Sequence, residues 1–396
     1  MAFLHNRTIN LLNLHYIIGS FAQSGGAAFY VVWLTKSGIG VAGVLLAMAA
    51  IFASRLVIRM ALLPFAIRIG LRRLVIIGTI AMGLSFVFLA EVRGADASLV
   101  RLVLVAAIAD TIYWPSYHAY FAALGDADHR GQQIGMREAM TATMGIVAPL
   151  ATGWLLVAFG PRAAFYTTGA VQALAAIPLL WTPQVTVART APGAFRAAIS
   201  GAMLFIGDGW IAAGYFIVWD LTLFLALGRD VMAYGGALAV AALVGAVSGL
   251  FLGRLIDSGR GSRAVWLAGF VLVFVIVMRA FTAGHPLLAV IANALGALVA
   301  CLYVPTIMTA VYNQAKRSPC VMRFHIAAEG GWDIGVTAGL SSAALLVRRG
   351  VPIAATVLLA LAGAGFVIVL LRRYYAEHGT ETVDASQTQG EEGAKI

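Results

Sequence analysis

Residues 182–196 read Thr-Pro-Gln-Val-Thr-Val-Ala-Arg-Thr-Ala-Pro-Gly-Ala-Phe-Arg, the longest polar break inside a chain otherwise built of apolar runs. Pro183, Pro192 and Gly193 oppose helix continuation, so the stretch reads as a link. Six apolar segments precede it, near 9–34, 39–64, 74–91, 98–124, 132–159 and 162–181. Six follow it, near 197–227, 231–253, 264–283, 286–312, 324–347 and 351–371. Each approaches or exceeds the ~20 residues that carry a helix across hydrocarbon. A backbone in lipid must satisfy its own polar groups, which leaves helices or a closed barrel, and the short alternating strands of a barrel are absent from the pattern. The predicted fold is an all-α integral membrane protein with twelve transmembrane helices in two pseudo-symmetric six-helix bundles. The expected division is an N-terminal bundle over 1–181, a cytoplasmic linker over 182–196, a C-terminal bundle over 197–375 and a disordered cytoplasmic tail over 376–396.

Composition agrees. The 396 residues are 61% hydrophobic and 11% charged, with a mean hydropathy of +0.90, whereas soluble domains carry about 25% charged residues. The formal charge of +10 does not point to nucleic acid, because the Arg residues stand singly or in pairs between apolar runs. Topology accounts for them better. With the N-terminus in the cytoplasm, only Lys36, Arg93, Arg101, Arg162, Arg229, Arg348 and Arg349 fall in the outer connections, and the larger share of loop Arg and Lys falls inside. Both termini are therefore expected in the cytoplasm, which requires an even number of spans. The preference for Arg over Lys points to a GC-rich bacterium and hence to its inner membrane. His5 and Arg7 precede a long first segment with no polar mature domain after it, so a cleavable signal is not expected.

The two halves look related. Phe29-Tyr30-Val31-Val32-Trp33 resembles Tyr215-Phe216-Ile217-Val218-Trp219, Tyr113-Trp114-Pro115-Ser116 resembles Tyr303-Val304-Pro305-Thr306, and Glu138 matches Glu329. The three matches fall in order at nearly one offset, as in a duplicated six-helix unit.

After the eighth segment the chain reads Gly253-Arg254-Leu255-Ile256-Asp257-Ser258-Gly259-Arg260-Gly261. This resembles the short cytoplasmic signature Gly-x-Leu-x-Asp-(Arg/Lys)-x-Gly-(Arg/Lys) of the major facilitator superfamily, with Ser258 in a basic position and the second glycine one place early. The equivalent loop of the first half, Pro64 to Arg73, keeps Arg68, Gly70, Arg72 and Arg73 but has Ile67 where the family carries its Asp. Arg130-Gly131 before the fifth segment is a join common in the family. Ala148-Pro149-Leu150-Ala151-Thr152-Gly153 is similar to the family's antiporter motif, with Ala148 and Thr152 in place of glycines; a packing kink is the competing reading. The resemblance covers roughly residues 8–375. It implies a transporter of small molecules whose first, fourth, seventh and tenth helices line a central cavity, and in which the missing carboxylate at 67 removes one cytoplasmic latch.

Charges inside spans are expensive and therefore mark function or pairing. Asp110 lies midway in the fourth segment, with Tyr113, Trp114, Tyr117, His118 and Phe121 on one broad helical face; it is a candidate for substrate binding or proton coupling, or an ion-pair partner of Arg55 or Arg59. Asp208 lies about twelve residues into the seventh segment, on the face of Ala212, Tyr215 and Trp219. It is a second candidate proton site, although Gly207 and Gly209 also allow local unwinding. Tyr16, Ser20, Gln23 and Tyr30 give the first segment a polar face, and Asn293 and Tyr303 are weaker binding candidates in the tenth. Glu329 and Asp333 are one helical turn apart, and Arg55 and Arg59 likewise. These four, with Arg137, Glu138, Asp257 and Arg260, are expected in ion pairs that gate the halves, and the two arginines are natural partners for Glu329 or Asp333. Arg279 and Asp220, nearer the outer ends, are expected to snorkel.

Cys301 and Cys320 lie 19 positions apart with no ligand spacing, so neither a structural disulfide nor a metal site is expected. No Walker loop, nucleophile elbow or zinc-protease motif is present, so no enzyme and no cofactor are expected. The expected partners are a small-molecule substrate, protons and the lipid bilayer, with the chain a monomer. The reading is a secondary active transporter, by preference a proton-coupled exporter, with a proton-coupled uptake symporter and a non-transporting membrane sensor as alternatives.

Overall fold

Hydrocarbon offers the backbone no partners, and the chain responds with helices alone: among the described residues of the computed structural model there is no strand. Those residues are 6–124, 130–256 and 261–378, with side chains of 125–140, 250–263 and 378 excluded. Twelve long helices follow in order: α1 Arg7–Lys36, α2 Val41–Arg59, α3 Leu71–Ala90, α4 Ala97–Leu124, α5 Arg130–Ala158, α6 Gly160–Trp181, α7 Ile199–Ala226, α8 Val231–Ile256, α9 Gly261–Thr282, α10 Pro286–Arg317, α11 Val321–Arg348 and α12 Ile353–Glu377. Eleven of them contain a stretch apolar enough to cross a membrane; α11 does not. Its charged and glycine-rich first half is covered by protein instead of lipid: Arg323, Glu329, Gly330, Gly331, Asp333 and Gly335 are all buried.

One segment ends earlier than its hydropathy suggests. The run 39–64 breaks at Met60 and Ala61, and Leu62–Ile69 forms a separate short helix. Its exposed face carries Phe65, as suits a helix lying at a boundary. Gly70 then takes φ +77°, and a Cβ there would strike the Gln184 side chain and the Val185 carbonyl. The glycine lets this loop dock on the link. Leu71 N–H donates to the Val185 carbonyl (2.9 Å), and Arg72 donates from its backbone to Gln184 Oε1 (3.1 Å) and from Nη1 to the Thr182 carbonyl (2.8 Å). From the other half, Arg323 donates to the Ala188 and Arg189 carbonyls (3.0 and 2.8 Å). The link is thus tied to both halves.

Helix pairings repeat with a shift of six. In the first half α3 packs on α4 and α6, α2 on α4, and α1 on α5; in the second α9 packs on α10 and α12, α8 on α10, and α7 on α11. Across the halves the large interfaces are α2 with α11 and α5 with α8. The repeat extends to a backbone irregularity: α1 widens to a π-helix over Ala22–Gly26 and α7 over Ala213–Val218. A side chain buried by packing accompanies the second of these. Arg279 of α9 donates from Nη1 to the Tyr215 carbonyl (2.6 Å) and stacks over the Tyr215 and Trp219 rings (4.0 and 4.8 Å). At 4% exposure it does not snorkel; the carbonyl and the two ring faces supply what water would have given.

Glycine governs the closest approach in the second half. Gly331, Gly335 and Gly339 recur every four residues along α11, where a Cβ would come within 2.3 Å of the Ala202 carbonyl, 2.1 Å of the Ile206 carbonyl and 2.7 Å of the Ala213 side chain. This small-residue stripe brings α11 onto the backbone of α7. Gly209 answers from α7, against the Trp332 carbonyl. Gly207 and Gly209 lie in regular helix, so they serve packing and not the unwinding considered for them.

Candidate functional site

Between the halves lies a cavity of about 550 Å³, within the ~300–1,000 Å³ range of small-molecule sites. The halves meet on both sides of it. Toward the expected cytoplasmic side α2 meets α11 through ion pairs. Toward the other, Tyr234 of α8 donates to the Ala28 carbonyl (3.0 Å) and its ring sits edge-on to Phe29 at 5.3 Å.

The lining combines Gln23, Ala27, Ala28 and Tyr30 of α1, Phe52 and Arg55 of α2, Ser85 and Phe86 of α3, Asp110, Trp114 and His118 of α4, Phe205, Asp208, Ala212, Phe216 and Asp220 of α7, Met308 of α10, and Glu329 and Trp332 of α11. The resemblance implied helices 1, 4, 7 and 10. Here α2, α3 and α11 contribute as well, and α10 contributes little. The two π-segments border the space, with Gln23 on one and Phe216 and Ile217 on the other; such bulges reorient the side chains that follow them.

Five of the residues expected to bind substrate or protons face the cavity: Gln23, Asp110, Trp114, His118 and Asp208. The broad face expected on α4 is divided between two neighbours. Asp110, Trp114 and His118, spaced i, i+4 and i+8, face the cavity, whereas Tyr113 and Tyr117 turn to α1. Tyr113 OH lies 3.0 Å from His15 Nε2, and Tyr117 stacks on Tyr16 at 5.3 Å. Tyr16 and Tyr113 instead line a smaller recess of about 140 Å³ with Ser20, Gln23, Trp114, Thr141 and Gln172.

Three further candidates do not reach the cavity wall. Tyr215 donates to the Gly296 carbonyl (2.7 Å), and Asn293 accepts from Trp219 Nε1 (3.0 Å) while donating to the Ala237 carbonyl (3.0 Å). Both are buried, and their polar groups are consumed in joining helices. Tyr303 is also buried, but its hydroxyl donates to Asp208 Oδ1 at 2.8 Å, so it holds a cavity carboxylate from behind. Arg137, Glu138, Asp257 and Arg260 fall outside the residues whose side chains are described.

The densest charge cluster joins the cavity to the α2–α11 interface. Arg55 reaches three carboxylates: Asp333 Oδ1 from Nε at 2.9 Å, Asp110 Oδ2 from Nη1 at 3.4 Å and Glu329 Oε2 from Nη2 at 3.6 Å. Arg59 clasps Asp333 Oδ2 from Nε at 3.1 Å and from Nη2. His118 lies between, with Nε2 3.7 Å from Glu329 Oε1 and Nδ1 hydrogen-bonded to Tyr312 OH at 2.9 Å. Asp110 therefore lines the cavity and also makes the ion pair with Arg55 that was the alternative to a substrate or proton role. Arg55 also sits over the Phe52 and Trp332 rings at 5.1 and 5.5 Å. Two guanidinium groups against three carboxylates leave one negative charge in excess, which a single proton neutralises. Among the described residues no cluster could hold a metal ion.

At the surface expected to face outward, Glu91 accepts from Arg162 at 2.9 and 3.1 Å and from Tyr166 at 2.8 Å. These donors hold its carboxyl below the usual range, at about 2.

A family model described as Major Facilitator Superfamily matches residues 14–225. No curated protein matches the sequence significantly. Among solved structures, a POT family transporter in complex with a thioalcohol-conjugated peptide superposes with a TM-score of 0.72 over 94% of this chain and 97% of that one, at 9% identity. At that identity the likeness speaks for the fold alone. The matched family model, spanning more than half the sequence, shows that the chain belongs to the major facilitator superfamily.

Proposed function

We propose that this protein is a proton-coupled exporter of a small amphipathic organic molecule, working as a monomer by alternating access in a bacterial inner membrane with both termini in the cytoplasm. The halves 1–181 and 197–375 rock about the cavity, and the link over 182–196 keeps them together.

The observation that carries the reading is the sharing of Arg55. One guanidinium contacts Asp110 and Glu329, which face the cavity, and Asp333, which is sealed in the α2–α11 interface. A proton arriving through the cavity onto Glu329 removes one of the two α11 charges that hold α2, and the interface loosens on the cytoplasmic side. There the proton leaves, and the pairing re-forms. A proton on Asp110 instead gives up its share of Arg55 to α11. The charge state of the cavity thus sets the strength of the contact that must open, which supplies the differential interaction a coupled transition requires.

Direction is tested in membrane vesicles. Everted vesicles energised to an acidic interior are expected to accumulate substrate and right-side-out vesicles to exclude it. Accumulation only in right-side-out vesicles would assign an uptake symporter, and ligand binding with movement in neither would assign a sensor.

A further inference from the structure

The charge of the cavity defines a substrate class, a step that rests on the transporter reading above. Among the described residues, Asp110, Asp208, Asp220 and Glu329 line the space against one guanidinium, that of Arg55. Arg55 is already divided among three carboxylates. Asp208 and Asp220 form no salt bridge among the described residues. Asp208 accepts a hydrogen bond from Tyr303 at 2.8 Å. This donor orients it without cancelling its charge. Arg279, the cation that bears on Asp220, spends one donor on the Tyr215 carbonyl and packs its face on two rings.

Aromatic rings make up much of the rest of the wall, among aliphatic and a few polar side chains. Phe52, Phe86, Trp114, Phe205, Phe216 and Trp332 surround the carboxylates. Ring faces attract cations and repel anions, and a carboxylate in a site walled from water attracts a cation more strongly than one in solvent. An anion entering this space meets four negative groups and one engaged arginine.

We propose that the cavity binds a lipophilic organic cation, with its charged centre paired to Asp208 and its apolar groups against the aromatic walls. A cation and a proton then compete for one carboxylate. Such competition gives exchange, because the proton that loads the site from outside expels the cation there. Asp220 lies twelve residues further along α7, about 18 Å away by helical rise, and provides a second station toward the outer end.

The test uses the full-length protein in detergent and two probes of nearly the same shape and opposite charge, tetraphenylphosphonium and tetraphenylborate, followed by tryptophan quenching and calorimetry. Saturable binding of the phosphonium is expected, with no competition from the borate. Asp208→Asn is expected to weaken it by about tenfold or more, and Asp208→Glu to restore most of the affinity. Borate binding as tight as phosphonium binding would overturn the proposal, as would unchanged affinity in Asp208→Asn. If Asp208→Asn does not fold, the two probes on the wild-type protein decide alone. Saturable phosphonium binding without movement in liposomes keeps the cation site and removes the transporter reading. Proton-linked flux of neutral or anionic solutes, without phosphonium binding, does the reverse.

Discussion

Arg59 and Asp333 join α2 to α11 through two donors on one carboxylate oxygen, with both side chains sealed from solvent. The first-half loop has Ile67 where the family motif it resembles carries a carboxylate, and this pair fastens the two halves from inside the protein instead. Removing Asp333 strands the Arg59 charge inside the protein, at a cost of about 3–5 kcal/mol, whereas removing Arg59 leaves Asp333 to Arg55 alone. Arg59→Met and Asp333→Asn are each expected to abolish transport and to increase labelling of cysteines placed on the cytoplasmic half of α2. The reversed pair, Arg59→Asp with Asp333→Arg, is expected to recover part of the activity. Failure of the double variant to exceed either single one would remove the latch role.

The glycines of α11 predict a contrast between neighbouring positions. An alanine at Gly335 meets the Ile206 carbonyl at 2.1 Å and Trp210 N at 2.7 Å, whereas one at Gly330 meets nothing closer than 3.7 Å. Gly335→Ala is expected to cost about 1–3 kcal/mol through overpacking against backbone that cannot yield, and Gly330→Ala to be tolerated. Thermal unfolding in detergent measures both, and equal midpoints would contradict the close approach of α7 and α11.

Arg279 predicts a stability effect from a residue that does not line the cavity. Arg279→Leu leaves the Tyr215 carbonyl without its donor at the π-segment of α7. The expected cost is about 1–3 kcal/mol, read as a lower melting temperature, with Arg279→Lys rescuing incompletely because an ammonium cannot stack on the two rings as a guanidinium does. Full rescue by lysine would show that charge alone matters there.

Much of this arrangement is legible in the sequence because hydrophobic length, loop charge and the cost of buried ions act locally. The link, the twelve segments and the complementary pairs Arg55/Arg59 and Glu329/Asp333 follow from those rules. The facing of each side chain does not, since spacing along one helix leaves its rotation against the others open. Tyr113, Tyr117, Tyr215 and Asn293 therefore read as cavity residues but are consumed in helix packing. The contribution of α2, α3 and α11 to the lining was missed for the same reason. The four-residue spacing of Gly331, Gly335 and Gly339 carries a packing signal that the reading does not use, and Arg279 reads as snorkelling although its neighbours are aromatic. The π-segments of α1 and α7 carry no sequence signal beyond their glycines.

Glu91 offers a control on pH effects. Its folded value of about 2 lies below the ordinary 4.5. A depressed carboxyl contributes stability that is present above the unfolded value and is lost as pH falls toward 2. The contact is exposed at the surface, so the contribution is small. Between pH 5 and 8 Glu91 stays ionised, and Glu91→Gln is expected to shift the melting temperature equally at both ends of that range. A difference between pH 5 and pH 8 would show that Arg162 and Tyr166 do not hold the carboxylate.

The proposed coupling has protons move through this cavity and act on Arg55. It is checked in proteoliposomes preloaded with candidate solutes and given an inward proton gradient, by reading lumenal pH in wild type and Asp110→Asn. Acidification that depends on the loaded solute is expected in wild type, and its loss in Asp110→Asn with ligand binding retained. Solute movement with no proton flux, or wild-type flux in Asp110→Asn, would contradict it.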